Sequence, residues 1–165
     1  MLWRVYQNQR GKMERKSESE PANNRQLAAV RIRGLTNIKS AVESTLRMLR
    51  LYRKNYCTLL PSSPQYIGML KKAKDYITWG EIDEDTVNML INKRGEEFNG
   101  REKDTKNKIK YNDFVIAGNK KIKKYFRLNA PRKGFERKGI KQSFQQGGAL
   151  GYRGSAINDL IKRMV

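Results

Sequence analysis

A mixed fold of alternating strands and helices, in the order β-α-β-α-β, is what residues 27–81 predict. Three observations carry that prediction: short runs of period two, longer runs with apolar residues three and four apart, and chain breakers between them. Residues 27–33 place Ala28, Val30 and Ile32 on one side and Arg31 and Arg33 on the other, the pattern of a half-buried strand, which Gly34 ends. Ile38, Ala41, Val42, Thr45, Leu46 and Leu49 then draw one apolar stripe, predicting a helix that Thr36 or Asn37 caps. Cys57-Thr58-Leu59-Leu60 predicts a second strand, stopped by Pro61. Ser63-Pro64 sets a cap residue before a proline at the first helical position, and Tyr66, Met69, Leu70 and Ala73 supply the stripe of the helix that follows. Tyr76-Ile77-Thr78-Trp79 before Gly80 predicts the third strand.

Charge narrows the partner before any motif does. The chain has 165 residues, with 36 Lys and Arg against 16 Asp and Glu, a formal net charge of +20. Such an excess repels itself in a compact state, so a polyanion that neutralises it is the expected partner. One cysteine and no histidine exclude a structural zinc site of three or four Cys and His ligands, and equally a Cys-His or Ser-His-Asp nucleophile. Cys57, inside an apolar run, reads as a small buried hydrophobe. No apolar run approaches the roughly 18 residues needed to span a bilayer, and 1–5 is too short an apolar patch for a signal peptide, so the expected location is intracellular.

The length suits one domain with a modest core and appendages. Residues 1–26 show neither strand nor helix period and read as an extended or disordered arm, 27–81 as the α+β core, and 82–165 as a C-terminal extension. Asp83 caps a third helix with Glu84 and Asp85 in its first turn, a stripe of Val87, Leu90 and Ile91, and an end at Gly95. These acids sit at a helix start, where the dipole and free N–H groups account for them without an acid–base role. Residues 96–112 read as a linker or long loop, and Phe114-Val115-Ile116-Ala117 as a short helix or a buried turn.

From Asn119 onward, thirteen Lys and Arg face two acids, Glu136 and Asp159, so this limb carries over half of the net charge. Its basic runs hold Arg127, Arg132, Lys133, Arg137, Lys138 and Lys141, its aromatics include Phe135 and Tyr152, and a glycine-rich loop spans 147–154 with Arg153 inside it. Lys and Arg neutralise phosphates, aromatics stack on exposed bases, and glycine lets backbone approach an RNA strand. The apolar positions look too few to bury this limb. A final helix, capped by Ser155 and striped by Ile157, Leu160, Ile161 and Met164, is expected to return to the core and fix the loop's far end.

Several motifs in order resemble one family. Thr45-Leu46-Arg47-Met48-Leu49-Arg50-Leu51, 55–61, Tyr66-Ile67-Gly68-Met69-Leu70 and Tyr76-Ile77-Thr78-Trp79-Gly80 are similar to the large-subunit ribosomal protein L30 (uL30) family, whose eukaryotic counterpart is L7. Phe126-Arg127-Leu128, 131–135, Gly147-Gly148 and 157–164 resemble its long archaeal-type form. The resemblance covers about 27–165 and implies an α+β, ferredoxin-like core with a three-stranded antiparallel sheet and helices on one face. Strand-helix-strand order by itself suggests a parallel pair; antiparallel is what the family implies. It further implies a structural constituent of the large ribosomal subunit in the cytoplasm, bound to 23S-type ribosomal RNA, to 5S rRNA and to neighbouring ribosomal proteins, with no catalytic residue, metal or cofactor. Lys133 departs from the family, which often has a second glycine there.

The expected RNA contacts are Arg31 and Arg33 on an exposed strand face, Arg132, Lys133, Arg137, Lys138 and Lys141 on phosphates, Phe135 and Tyr152 on bases, and Arg127 and Arg153 as further RNA-binding residues. The limb is expected to be poorly ordered until RNA binds. The alternative is a general basic DNA-binding or chromatin-type protein, which would bind duplex DNA as well as folded RNA.

Overall fold

The computed structural model describes residues 26–106, 108, 111, 113–117 and 120–165. The arm predicted over 1–26 lies outside them except for Gln26. The first strand, β1 (Gln26–Arg31), forms the middle of the sheet. It is followed by α1 (Ser40–Met48), β2 (Tyr56–Pro61), α2 (Pro64–Lys72), β3 (Ile77–Glu81) and α3 (Glu84–Arg94). The chain continues through β4 (Phe114–Ala117), β5 (Lys120–Lys123), β6 (Phe126–Arg127) and β7 (Gly151–Tyr152) to α4 (Ile157–Met164).

β1 runs antiparallel to both β2 and β3, in the registers Val30 to Cys57 and Val30 to Thr78. The three-stranded antiparallel sheet is therefore present as β2-β1-β3. Because β2 and β3 flank β1 and both oppose it, they run parallel to each other, so β2-α2-β3 is a split βαβ unit. β6 adds beside β2 and β7 adds, parallel, beside β3, giving the order β6-β2-β1-β3-β7.

Both faces of the sheet are covered. Leu27 and Ala29 pack with Leu46, Leu49, Leu70 and Ala73 of the α1 and α2 layer. Ala28 and Val30 pack on the other face with Leu90 of α3 and with Ile157, Leu160, Ile161 and Met164 of α4. Those four α4 side chains are fully buried, each stabilising the fold by roughly 1.5–3 kcal/mol relative to exposure. The terminal helix thus returns to the core as its stripe predicts.

Local signals hold in part. Ser63 caps α2, its hydroxyl accepting from the Tyr66 N–H at 3.5 Å, with Pro64 in the first turn. Asp83 occupies the cap position of α3. The predicted caps Thr36 or Asn37 and Ser155 give way to Lys39 and Ala156: Asn37 turns to φ +55°, and Ser155 lies in a short 3-10 turn, Gly154–Ala156, that precedes α4. Residues 114–117, read as a short helix or buried turn, form β4 instead and pair with β5 from Phe114–Lys123 to Ala117–Lys120. The lysines of the following run supply that partner, which a four-residue apolar run cannot reveal.

Candidate nucleic-acid interface

The basic limb leaves the sheet at β6 and rises as an arch between two anchored ends. Its first anchor is backbone: the Leu128 N–H donates to Asn55 O at 3.1 Å, Asn129 to Met164 O at 3.0 Å and Arg132 to Arg163 O at 3.0 Å. The loop after α1 and the end of α4 hold it in place. A tight turn follows, closed by Gly134 N–H to Pro131 O at 3.0 Å, with Lys133 at φ +66° and Gly134 at φ +76°. Lys133 thus occupies the left-handed conformation, in which a lysine costs about 1 kcal/mol more than glycine. At the far end β7 joins β3, and the Arg153 N–H donates to Trp79 O at 2.9 Å.

Contrary to the sequence expectation, the limb buries apolar groups of its own. Ile32, just past β1, packs with Ala149 and Leu150, and Phe135 and Ile140 lean on them. Hydrogen bonds from Phe144 to Leu150 at 2.7 Å and from Gly148 to Ser143 at 2.8 Å fold 142–150 into a compact loop.

The arch presents its cations outward. Arg132, Lys133, Arg137, Lys138 and Lys141 are all exposed. Among the described residues none of the five side chains donates a hydrogen bond or joins an ion pair, so their charges are available to a phosphate backbone. A second turn is closed by the Gly139 N–H to Glu136 O at 3.0 Å, and the Lys138 N–H donates to Gly147 O at 3.2 Å, drawing that turn against the loop.

Two predicted contacts are internal instead. Arg31 is only 1 % exposed. Its guanidinium donates to Leu51 O at 2.7 Å, Tyr52 O at 3.0 Å, Gly34 O at 2.9 Å and Arg33 O at 3.0 Å, tying together the segments after β1 and α1. Burial holds its pKa below the ordinary value, with Glu43 and Tyr76 acting in the opposite direction. The face expected to be wet is covered by α1 and α2, so no phosphate reaches this side chain. Arg153, 5 % exposed, is the second correction. It donates to Thr78 Oγ1 at 2.9 Å, Glu136 Oε1 at 3.1 Å and Ala149 O at 3.2 Å, and its guanidinium lies 4.6 Å from the Phe144 ring centroid. Burial pushes its pKa down, and Glu136 opposes that. Arg153 is a strut that holds the arch to β3.

The other candidates lie between these extremes. Arg33 falls beyond the strand, half-buried, donating to Asp75 O at 3.3 Å over the Tyr76 ring. Arg127 is exposed but paired with Glu96, whose pKa it holds below the usual carboxylate range; Lys123 adds to that shift. Phe135 is half-buried against the core, with Lys54 Nζ 5.9 Å from its ring centroid, so one of its faces is occupied. Tyr152 keeps about half its surface exposed while its hydroxyl donates to Glu81 at 2.7 Å. The sequence reading missed Glu136, which also lies 3.5 Å from Arg163. Its signal was present: it is the only acid between Asn119 and Arg153.

The sheet, its two covered faces and the strut-held arch define a class: a small basic α+β protein that presents a row of cations to a polyanion. Comparison of sequences makes the class particular. The family described as Ribosomal protein L30p/L7e matches residues 27–77. The large ribosomal subunit protein uL30 of Methanopyrus kandleri is 45% identical over 149 residues, covering 81% of this chain and 100% of that protein. Those of Nanoarchaeum equitans (45% over 152 residues, 84% and 97%) and Methanococcus maripaludis (43% over 152 residues, 84% and 98%) are similar over the same span. The chain belongs to the ribosomal protein L30p/L7e family.

Proposed function

We propose that this chain is a structural constituent of the large ribosomal subunit, acting in translation by binding ribosomal RNA and not by catalysis. The observation that carries the reading is the arch: five exposed cations, Arg132, Lys133, Arg137, Lys138 and Lys141, on a loop fixed at both ends by backbone hydrogen bonds and the Arg153 strut. A fixed arch loses little conformational entropy on docking, so its charge contributes fully to phosphate contacts. Its RNA partner is 23S-type ribosomal RNA, with 5S rRNA as a further contact and neighbouring ribosomal proteins around it. Its place is the ribosome of the cytoplasm. Arg33, Arg127 and the Tyr152 ring stand at the margins of the arch as secondary contacts. Family membership disfavours the general DNA-binding alternative.

The test is sedimentation of cell lysate through a sucrose gradient, followed by detection of the chain at moderate and high salt. Comigration with large subunits that survives moderate salt supports the proposal. Residence at the top of the gradient, or with chromosomal DNA, overturns it.

A further inference from the structure

The turn between α1 and β2 carries aromatic rings and cations outside the arch. Tyr52 is 43 % exposed; its ring and that of Tyr125 meet at 5.9 Å and 86°, and Tyr125 is stacked on Tyr56 at 5.2 Å and 10°. Next to this aromatic wall Arg53 and Lys54 are exposed, and among the described residues neither side chain joins an ion pair or donates a hydrogen bond. The lysines of the β4–β5 hairpin differ, since Lys120 is met by Glu97, Lys121 by Glu102 and Lys123 by Glu96. The turn is fixed from beneath. Buried Arg31 donates to Leu51 O at 2.7 Å and Tyr52 O at 3.0 Å, and the Asn55 N–H donates to Arg31 O at 2.8 Å. The turn also joins the arch: Asn55 O accepts from the Leu128 N–H at 3.1 Å, and Lys54 Nζ lies 5.9 Å from the Phe135 ring centroid. Tyr52, Arg53 and Lys54 therefore continue the cationic surface of the arch past its first anchor.

We infer that residues 52–54 form a second RNA site, in which an unpaired base stacks on the exposed Tyr52 ring while Arg53 and Lys54 neutralise the phosphates on either side of it. The inference rests on the ribosomal reading above for the presence of RNA and adds to it a site that selects unpaired nucleotides. A base inside a helix has both faces covered by its neighbours, so only an unpaired base offers a face to a ring. Arg31 is the positioning residue of this site: it touches no RNA, and by holding the carbonyls of Leu51 and Tyr52 it sets the ring in place before binding, which lowers the entropy lost on docking.

Charge decides the occupant. The chain's own residues outside the described set do not fit: 1–25 carry six Lys and Arg against three Glu, and 107, 109, 110, 112, 118 and 119 hold one lysine and no acid. Both sets are net positive and are repelled by Arg53 and Lys54. An acidic peptide would neutralise the two cations but has no need of an exposed aromatic face. An RNA strand supplies phosphate and planar base in one unit, and the adjoining arch already presents its cations to the same polymer.

The test has two arms. Purified large subunits holding the unmodified chain are irradiated with ultraviolet light, or treated with carbodiimide, and the crosslinks are mapped. Full-length Tyr52→Leu, Tyr52→Phe and Arg53→Gln chains are titrated with large-subunit ribosomal RNA over a range of salt. The expected result is an adduct joining Tyr52 to one nucleotide that lies outside any RNA helix. Tyr52→Leu should bind at least about fivefold more weakly with the parent's salt slope, Tyr52→Phe should bind as the parent does, and Arg53→Gln should lower the slope by about one. Adducts within 132–141 with none at Tyr52 overturn the inference, as does an adduct to a base-paired nucleotide or any variant that departs from this pattern. A carbodiimide bond from Lys54 to a carboxylate of another protein, or of residues 1–25, overturns it too. The crosslinks are read on the unmodified chain, so they decide the matter even where Tyr52→Leu fails to fold. Absence of the unmodified chain from large subunits overturns the ribosomal reading as well; its presence with any contrary result overturns this inference alone.

Discussion

Replacing Arg153 by Met separates the strut from the contacts. Methionine fills most of the volume, so the cavity contribution is small and the loss is polar. The guanidinium's bonds to Thr78, Glu136 and Ala149 vanish, as does its approach to the Phe144 ring. Thr78 keeps its own bond to Gly151 O at 3.0 Å, and Glu136 keeps Arg163. Breaking a buried charge pair typically costs 3–5 kcal/mol, and because Glu136 is partly exposed the lower end applies, about 3 kcal/mol. For a chain of this size that lowers Tm by roughly 6–12 °C. RNA affinity falls because the arch is no longer held, yet the slope of log K against log salt stays that of the parent, since a buried side chain neutralises no phosphate. Lys141→Ala gives the opposite pattern: unchanged Tm and a slope reduced by about one. Differential scanning fluorimetry and a salt titration of RNA binding read both quantities. Arg153→Met with the parent Tm and a slope reduced by one would refute the strut.

Further outcomes follow from particular contacts. A Cβ at Gly80 would overlap the carbonyl oxygen of Gly154, whereas one at Gly68 on α2 meets nothing within 4 Å. Thermal unfolding should therefore show Gly80→Ala destabilised by about 2 kcal/mol or more and Gly68→Ala stabilised by about 0.5–1 kcal/mol; equal effects would contradict the β3–Gly154 approach. Burial pushes the Cys57 thiol up to about 12, so it is the neutral form that the fold favours. The stability this contributes is fully present below the unfolded thiol's pKa of roughly 8.5 and is lost as pH rises through 12, and native protein at pH 8.5 should resist iodoacetamide until denatured. Glu96 has its pKa lowered first by Arg127, then by Lys123, so its contribution is present above the unfolded carboxyl's pKa and lost as pH falls through the folded value. Glu96→Gln should narrow the stability difference between pH 7 and pH 3 measured by urea unfolding, and an unchanged difference would show that the pair does not contribute to stability.

Periodicity found the elements whose partners lie nearby in sequence. The stripes of α1, α2 and α4 and the three central strands are local patterns, and each recurs in the structure within a few residues. What period two cannot report is whether a strand's second face is wet. Arg31 looks solvent-facing beside Val30 and Ile32, but α1 and α2 cover that face while α4, 126 residues further on, covers the other, so Arg31 is enclosed. Arg153 was hidden differently: it sits in a basic, glycine-rich stretch indistinguishable by composition from Arg132 or Lys138. Only its burial partners, Thr78 from the core and Glu136 from the arch, tell it apart.

In the proposed function the outward cations of the arch touch ribosomal RNA while the buried arginines do not. Ultraviolet crosslinking of purified large subunits, with mass spectrometric mapping of nucleotide-modified residues, tests it directly. Adducts are expected within 132–141, with Tyr152 as a further site, and none at Arg31 or Arg153. Adducts confined to other surfaces, or found at either buried arginine with 132–141 unmodified, would contradict it.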